Sequence, residues 1–290
     1  MQSRLDYFVP DGSYWPILGS IGMAALLGGF ASSLHGNMAG TIAMVLGFGI
    51  IIFMVFGWIG QVINESETGT YNLQVDKSFR IGMGWFIFSE VMFFAAFFGA
   101  LFYARQLSVP WLAGEGNNFF TGDVLWPEFK SIWPLIKMPD ASNFTVPKGI
   151  IEAWEIPAIN TLTLLTSGAT LTYAHWSLMN KNRSGLIGGL IVTIILGVIF
   201  LGLQISEYME AYQHLDLKLT SGIYGSTFFM LTGFHGLHVT LGTIMLIVIL
   251  MRAIRGHFKK DRHFGFEAVA WYWHFVDVVW LGLFIVVYWL

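Results

Sequence analysis

The chain has 290 residues, of which 55% are hydrophobic and only 11% charged, with a formal net charge of −3 and no cysteine. A soluble domain carries about 25% charged residues, so this composition excludes one and specifies a polytopic membrane protein. Zero cysteine excludes disulfides, thiolate metal sites and iron–sulfur clusters in this chain.

Seven apolar stretches approach the roughly 20 residues at 1.5 Å rise that a bilayer requires. The first is read over 15–34 and the second over 41–63, joined by a tight turn at 35–40. No cleavable leader is read before them: 1–14 contains Arg4, Asp6, Pro10 and Asp11, and the first apolar run is too long for a leader. Glycine is frequent here (Gly22, Gly28, Gly29, Gly47, Gly49, Gly57). Small residues let helix backbones approach closely in a membrane.

The third span, 81–103, contains WFIFSEVMFFAAFFGA with Glu90 ringed by Phe and Met. A charged carboxylate at a helix centre costs about 2.5–3.5 kcal/mol, which favours the neutral acid. Two readings stand side by side: an interior carboxyl that exchanges protons, or one hydrogen-bonded to a facing helix. A long loop follows, 104–155, with Pro110, Pro127, Pro134, Pro139 and Pro147 beside Trp111, Trp126 and Trp133. It reads equally as an ordered docking cap or as a variable insertion.

The fourth span is read over 156–176 and the fifth over 186–208. Glu207 and Glu210 at the outer end of the fifth are read as a solvated helix end or a partner contact. The sixth span, 221–251, carries His235 and His238, and the seventh, 268–290, carries His274 and Asp277. Each pair is spaced i,i+3 and so shares a helix face. On neighbouring helices the four could surround one point, like the ligands of a di-iron bundle or a heme. The other reading is interhelical hydrogen bonding, favoured because only one carboxylate serves the set.

Lys and Arg fix the expected orientation. Arg4, Lys77, Arg80, Lys181, Arg183, Arg252, Arg255, Lys259, Lys260 and Arg262 fall on one side, and the opposite short loops hold only Lys218. The N-terminus is therefore expected inside and the C-terminus outside. Glu65, Lys77, Arg80, Arg252, Arg255, His257, Lys259 and Lys260 collect at inner span ends, where basic pockets hold lipid phosphate.

GIYGSTFF…TGFHGLHVTLGT followed by HFGFEAVAWYWHFVDVVWL closely resembles subunit III of heme–copper cytochrome c oxidase. RIGMGWFIFSEVMFF, EIPAINTLTLLTSGATLTYAHWSL, LQISEYMEAY and SYWPILGS agree with the same family, so the likeness covers nearly everything except the long loop. The resemblance implies an all-α fold of seven transmembrane helices in two groups, spans one and two (1–64) and spans three to seven (65–290). The two groups form a V-shaped cleft filled with phospholipid. It implies a non-catalytic subunit of a proton-pumping oxidase, docked on subunit I with subunit II in the complex and cytochrome c as electron donor. Heme and copper would belong to those partners, leaving no metal and only phospholipid as this chain's own ligand. Nothing points to nucleic acid. The implied roles are stabilising subunit I, supporting proton uptake and guiding oxygen.

By position, Glu90 matches the family's carbodiimide-reactive carboxyl. Trp58, Glu65, Arg80, Arg252 and His257 match lipid-lining positions, and His235, His238, His274 and Asp277 become structural polar contacts. Two departures matter. Residues 1–14 lack the histidines proposed to gather protons, a task His257 and His263 could take over. ESETGTYN lacks the paired histidines some members carry, and the long loop suggests a bacterial inner membrane rather than a mitochondrial one. Two other readings remain: the equivalent subunit of a quinol oxidase, and a His-ligated metal or heme membrane protein or transporter.

Overall fold

The computed structural model describes residues 12–290. Arg4 and the histidine-free start of the chain lie outside them. The described residues form eight α-helices, three π-helical segments and one isolated β-bridge. The helices are α1 (Trp15–Ser33), α2 (Met38–Thr68), α3 (Leu73–Tyr103), α4 (Val109–Leu112), α5 (Ile156–Met179), α6 (Arg183–Gln213), α7 (Gly222–Ile254) and α8 (Phe264–Leu283).

Among the described residues, six helical stretches are long and apolar enough to cross a membrane: α1, α2, α3 continued to Leu112, α6, α7, and α8 continued to Trp289. Helix α5 runs 24 residues but is diluted by hydroxyls. Those hydroxyls are satisfied locally: Thr161, Thr163 and Thr166 donate to the Pro157, Ile159 and Leu162 carbonyls at 2.7–2.9 Å. A polar side chain that returns its hydrogen bond to its own helix costs little in an apolar setting.

Several helices overrun the apolar runs that mark them. Helix α2 continues to Thr68 and α3 begins at Leu73, because NESET and LQVDKS are helix-compatible though polar. Asn37 starts α2 by accepting from the Ala39 amide at 3.0 Å. Gly69, at φ +77°, ends it with its amide on the Ser66 carbonyl, the left-handed cap glycine supplies without strain.

The chain divides into two compact units between Phe79 and Arg80, inside α3. In the first unit α1 packs on α2 through glycines. A Cβ on Gly29 would run into the Met44 backbone, one on Gly47 into Leu26, and one on Gly57 into the Trp15 ring. Close backbone contact of this kind supplies the dispersion that binds helices where lipid competes for every apolar surface.

The second unit, Arg80–Leu290, is organised around α8. Trp273 and Trp280 are fully buried there. Trp273 is received by glycines on two helices, since a Cβ on Gly197 or Gly242 would lie 2.8 Å from its ring. Its indole donates to Ser167 Oγ, and that of Trp280 to Thr161 Oγ1, each at 2.9 Å. Two otherwise stranded N–H groups thus pin α8 to α5.

The long loop is ordered in large part. Val109, Leu135, Ile151 and Ala153 are buried in it. Its Thr145 and Lys148 amides donate to the Thr220 and Leu215 carbonyls of the α6–α7 turn at 3.0 and 2.7 Å.

Candidate functional site

Glu90 on α3 meets His238 on α7, with Oε2 2.9 Å from Nε2. The other ring nitrogen, Nδ1, lies 2.7 Å from the Phe234 carbonyl. A carbonyl only accepts, so Nδ1 carries hydrogen. The Glu90–His238 contact therefore holds exactly one proton, either as a neutral acid donating to a neutral imidazole or as a carboxylate facing an imidazolium. Phe93, Phe94 and Tyr272 enclose the ring, with Phe94 edge-on at 5.0 Å and Tyr272 stacked at 6.2 Å. The i−4 carbonyl and the aromatic walls fix the imidazole, and the acid follows it.

The other three polar groups singled out on the last two spans do not join this pair. His235 donates from Nε2 to the Val276 carbonyl at 3.2 Å, across to α8, and its ring packs against Trp280. His274 Nδ1 stands 3.6 Å from Asp277 Oδ2, within ion-pair range but beyond a hydrogen bond. His274 Nε2 is 3.4 Å from Thr172 on α5. Gly168 makes room for the Asp277 carboxyl, since a Cβ there would collide with Oδ2. The four do not surround one point: the group of metal-capable side chains found among the described residues is His175, His263 and Glu267.

That group sits at the start of α8. Glu267, in the first helical turn, is ion-paired with Arg80 of α3. It also faces His263 at 3.2 Å. Arg80 lies over the Phe264 ring at 5.6 Å, and Arg252 over Phe258 at 4.7 Å. Arg252 also fits against Gly265, where a Cβ would be 2.8 Å from its Nη1. Two of the expected headgroup residues thus converge on the α8 N-terminus, although Arg80 already holds a carboxylate. His257 closes the α7 end, its amide donating to the Arg252 carbonyl at 3.1 Å. Sequence reading passed over His175 and Glu267, which sit 92 positions apart and are joined only by packing.

In the first unit, Trp15, Gln61, Glu65 and Tyr71 form a chain of hydrogen bonds. The Trp15 indole donates to Gln61 at 2.7 Å, Gln61 to Glu65 at 2.7 Å, and the Tyr71 hydroxyl to Glu65 at 2.5 Å. Burial and the adjacent Glu65 carboxylate push the Tyr71 hydroxyl well above its ordinary range. Trp58, on the same helix as Glu65, is exposed.

One reading is overturned. Glu207 is not a solvated helix end: it is fully buried, accepting from the Tyr288 hydroxyl at 2.6 Å and from Gln204 at 3.1 Å. The π-helical end of α8 swings Tyr288 over it, a contact invisible from the sequence of α6. Glu210, one turn on, is half-buried.

Comparison with known proteins agrees across the whole length. A family model described as cytochrome c oxidase subunit III matches residues 6–115 and 117–290. The subunit 3 protein of Marchantia polymorpha is 41% identical over 292 positions, covering 100% of this chain and 98% of that one. Those of Latimeria chalumnae and Arabidopsis thaliana are 40% and 39% identical, covering 98% and 99% of this chain and 96% and 97% of their own.

Proposed function

The chain belongs to the cytochrome c oxidase subunit III family, part of an oxidoreductase complex in a membrane, and from that premise we propose that it is the oxidase's non-catalytic third subunit. It docks on subunit I, with subunit II completing the core and cytochrome c feeding electrons to the complex. Partner subunits hold heme and copper and reduce oxygen to water, and this chain stabilises subunit I, binds phospholipid and supports proton uptake and oxygen access. The observation that carries the reading is end-to-end identity of about 40% with subunit 3 proteins.

The finer architecture belongs to the same proposal. Helix α5 is the remaining span, giving seven transmembrane helices, spans one and two and then spans three to seven. The membrane is a bacterial inner membrane, with N-terminus cytoplasmic and C-terminus periplasmic. Lys and Arg placement supports that orientation. Trp58, Glu65, Arg80, Arg252 and His257 are lipid contacts. Convergence of Arg80 and Arg252 on the α8 N-terminus supports the headgroup role, because a helix N-terminus and guanidinium groups both favour phosphate. Glu90 is the interior carboxyl, holding α3 to α7 through His238. His235, His238, His274 and Asp277 are structural contacts, supported by the bonds that His235 and His238 make to backbone carbonyls.

The test is purification through a tag on this chain, with optical spectra and metal analysis before and after it is stripped from its partners. Heme and copper should co-purify and then stay with the partners. Heme retained by the stripped chain would overturn the non-catalytic reading. A complex lacking the copper-bearing partner would favour a quinol oxidase.

A further inference from the structure

His175 near the end of α5 and His263 at the start of α8 aim their Nε2 atoms at each other across 3.4 Å. Glu267 Oε1 lies 3.2 Å from the same His263 nitrogen. The three ligand atoms all lie within 4.8 Å of one another. His263 Nδ1 sits 3.1 Å from the Lys259 carbonyl. That carbonyl can only accept, so Nδ1 holds hydrogen, and in the neutral ring the lone pair is on Nε2.

That lone pair can accept a hydrogen from His175 Nε2, but the Glu267 oxygen at 3.2 Å then still faces it with no hydrogen between them, and a positive centre satisfies all three atoms. One proton on Nε2 points at one neighbour at a time, whereas a metal ion is shared by all three. The spacing is that of ligands on a common ion. Two imidazole nitrogens at about 2.0–2.1 Å from a tetrahedral zinc stand about 3.4 Å apart. The Lys259 carbonyl supplies the outer hydrogen bond that fixes a ligating histidine in its tautomer. Arg80 pairs with Oε2 of Glu267, leaving Oε1 for the ion. His263 is buried while His175 is only half-buried, which leaves a side for water to complete the coordination.

We propose that His175, His263 and Glu267 form a binding site for a divalent transition-metal ion of the zinc class, tying the end of α5 to the start of α8. Two histidines and one carboxylate with an open fourth position suit zinc better than magnesium or calcium, which prefer oxygen ligands. The ion replaces the shared proton, so binding weakens as pH falls.

The test uses the assembled oxidase containing this chain, stripped with a chelator and equilibrated with Zn2+. Bound zinc is counted per complex by mass spectrometry. Wild type should retain one zinc more than His175→Gln or His263→Gln, while His274→Gln, on the same helix but outside the cluster, should retain the wild-type number. A second measurement needs no variant. Zn2+ should protect His175 from diethyl pyrocarbonate at least tenfold, reversibly with chelator, and leave the reaction of His274 unchanged. Equal zinc counts in wild type and His175→Gln, or a His175 that zinc does not protect, would overturn the site and leave the cluster sharing only a proton.

Discussion

His238 faces Glu90 with Nε2 at 2.9 Å while giving its Nδ1 hydrogen to the Phe234 carbonyl, so the carboxyl and the ring share one proton. Helix α3 is thereby held to α7 by a bond that an uncharged amide can imitate.

Glu90→Gln should accordingly preserve the joint, because an amide N–H can donate to the Nε2 lone pair of a neutral ring whose Nδ1 hydrogen goes to the Phe234 carbonyl. Assembly and initial turnover of the complex should stay near wild type, with stability lowered by less than about 1 kcal/mol. Glu90→Leu leaves Nε2 without its partner in an apolar setting and should cost about 1–3 kcal/mol. Thermal release of the chain from the assembled oxidase reads both. Loss of the first turnovers in an assembled Glu90→Gln complex would mean that the carboxyl acts directly in catalysis.

The packing of Trp273 gives a paired test. A Cβ on Gly242 would stand 2.8 Å from the Trp273 ring, and Gly236 has nothing within 4 Å of its own. Gly242→Ala must push a fully buried indole and should cost about 1–3 kcal/mol. Gly236→Ala, on the same helix, should be neutral or slightly stabilising. Equal melting of the two variants would show that Trp273 shifts without cost.

Asp216 offers a pH dependence outside the spans. It takes Lys148 at 2.6 Å and Lys218 at 3.2 Å, and hydrogen bonds to these ammonium groups lower its carboxyl below the ordinary 3.8. A carboxyl lowered on folding contributes support above its unfolded value and loses it as pH falls through the folded one. The tie between loop and turn should hold at pH 5 to 8 and loosen only below about pH 4. Amide hydrogen exchange at Thr145 and Lys148 reports it. Asp216→Asn, which tolerates the φ of +49° there, should exchange faster already at neutral pH. Identical exchange in the variant and wild type would remove the pair from the account.

The sequence displayed what composition and periodicity control, and hid what packing controls. Each apolar run became a helix, and Glu90 stood out because a carboxyl among Phe and Met costs energy wherever it lies. Its partner was legible only as one of four polar groups, and nothing in the spacing chose His238 over His274. Glu207 misled because it stands with Glu210 at the outer end of its apolar run, while Tyr288 covers it from 81 positions away. The His175–His263–Glu267 group was equally hidden, since each member alone resembles an ordinary span-end residue.

Helix α5 decides the topology, and two exposed positions can read it. The chain has no cysteine, so single cysteines can be introduced without removing any. Between Asn117 in the long loop and Lys260 after α7 lie α5, α6 and α7. If α5 crosses the membrane with the other two, an odd number of crossings puts the two positions on opposite sides. If α5 lies within one leaflet, only α6 and α7 cross and both positions share a side. Asn117→Cys should react with an impermeant maleimide in right-side-out vesicles, and Lys260→Cys only in inverted ones. Its hydroxyls return their bonds to their own helix, and Trp273 and Trp280 tie it to α8, so α5 can remain at membrane depth without a long apolar run. Labelling of both cysteines from the same side would reduce the span count to six and reverse the expected position of the long loop or of the α7–α8 turn.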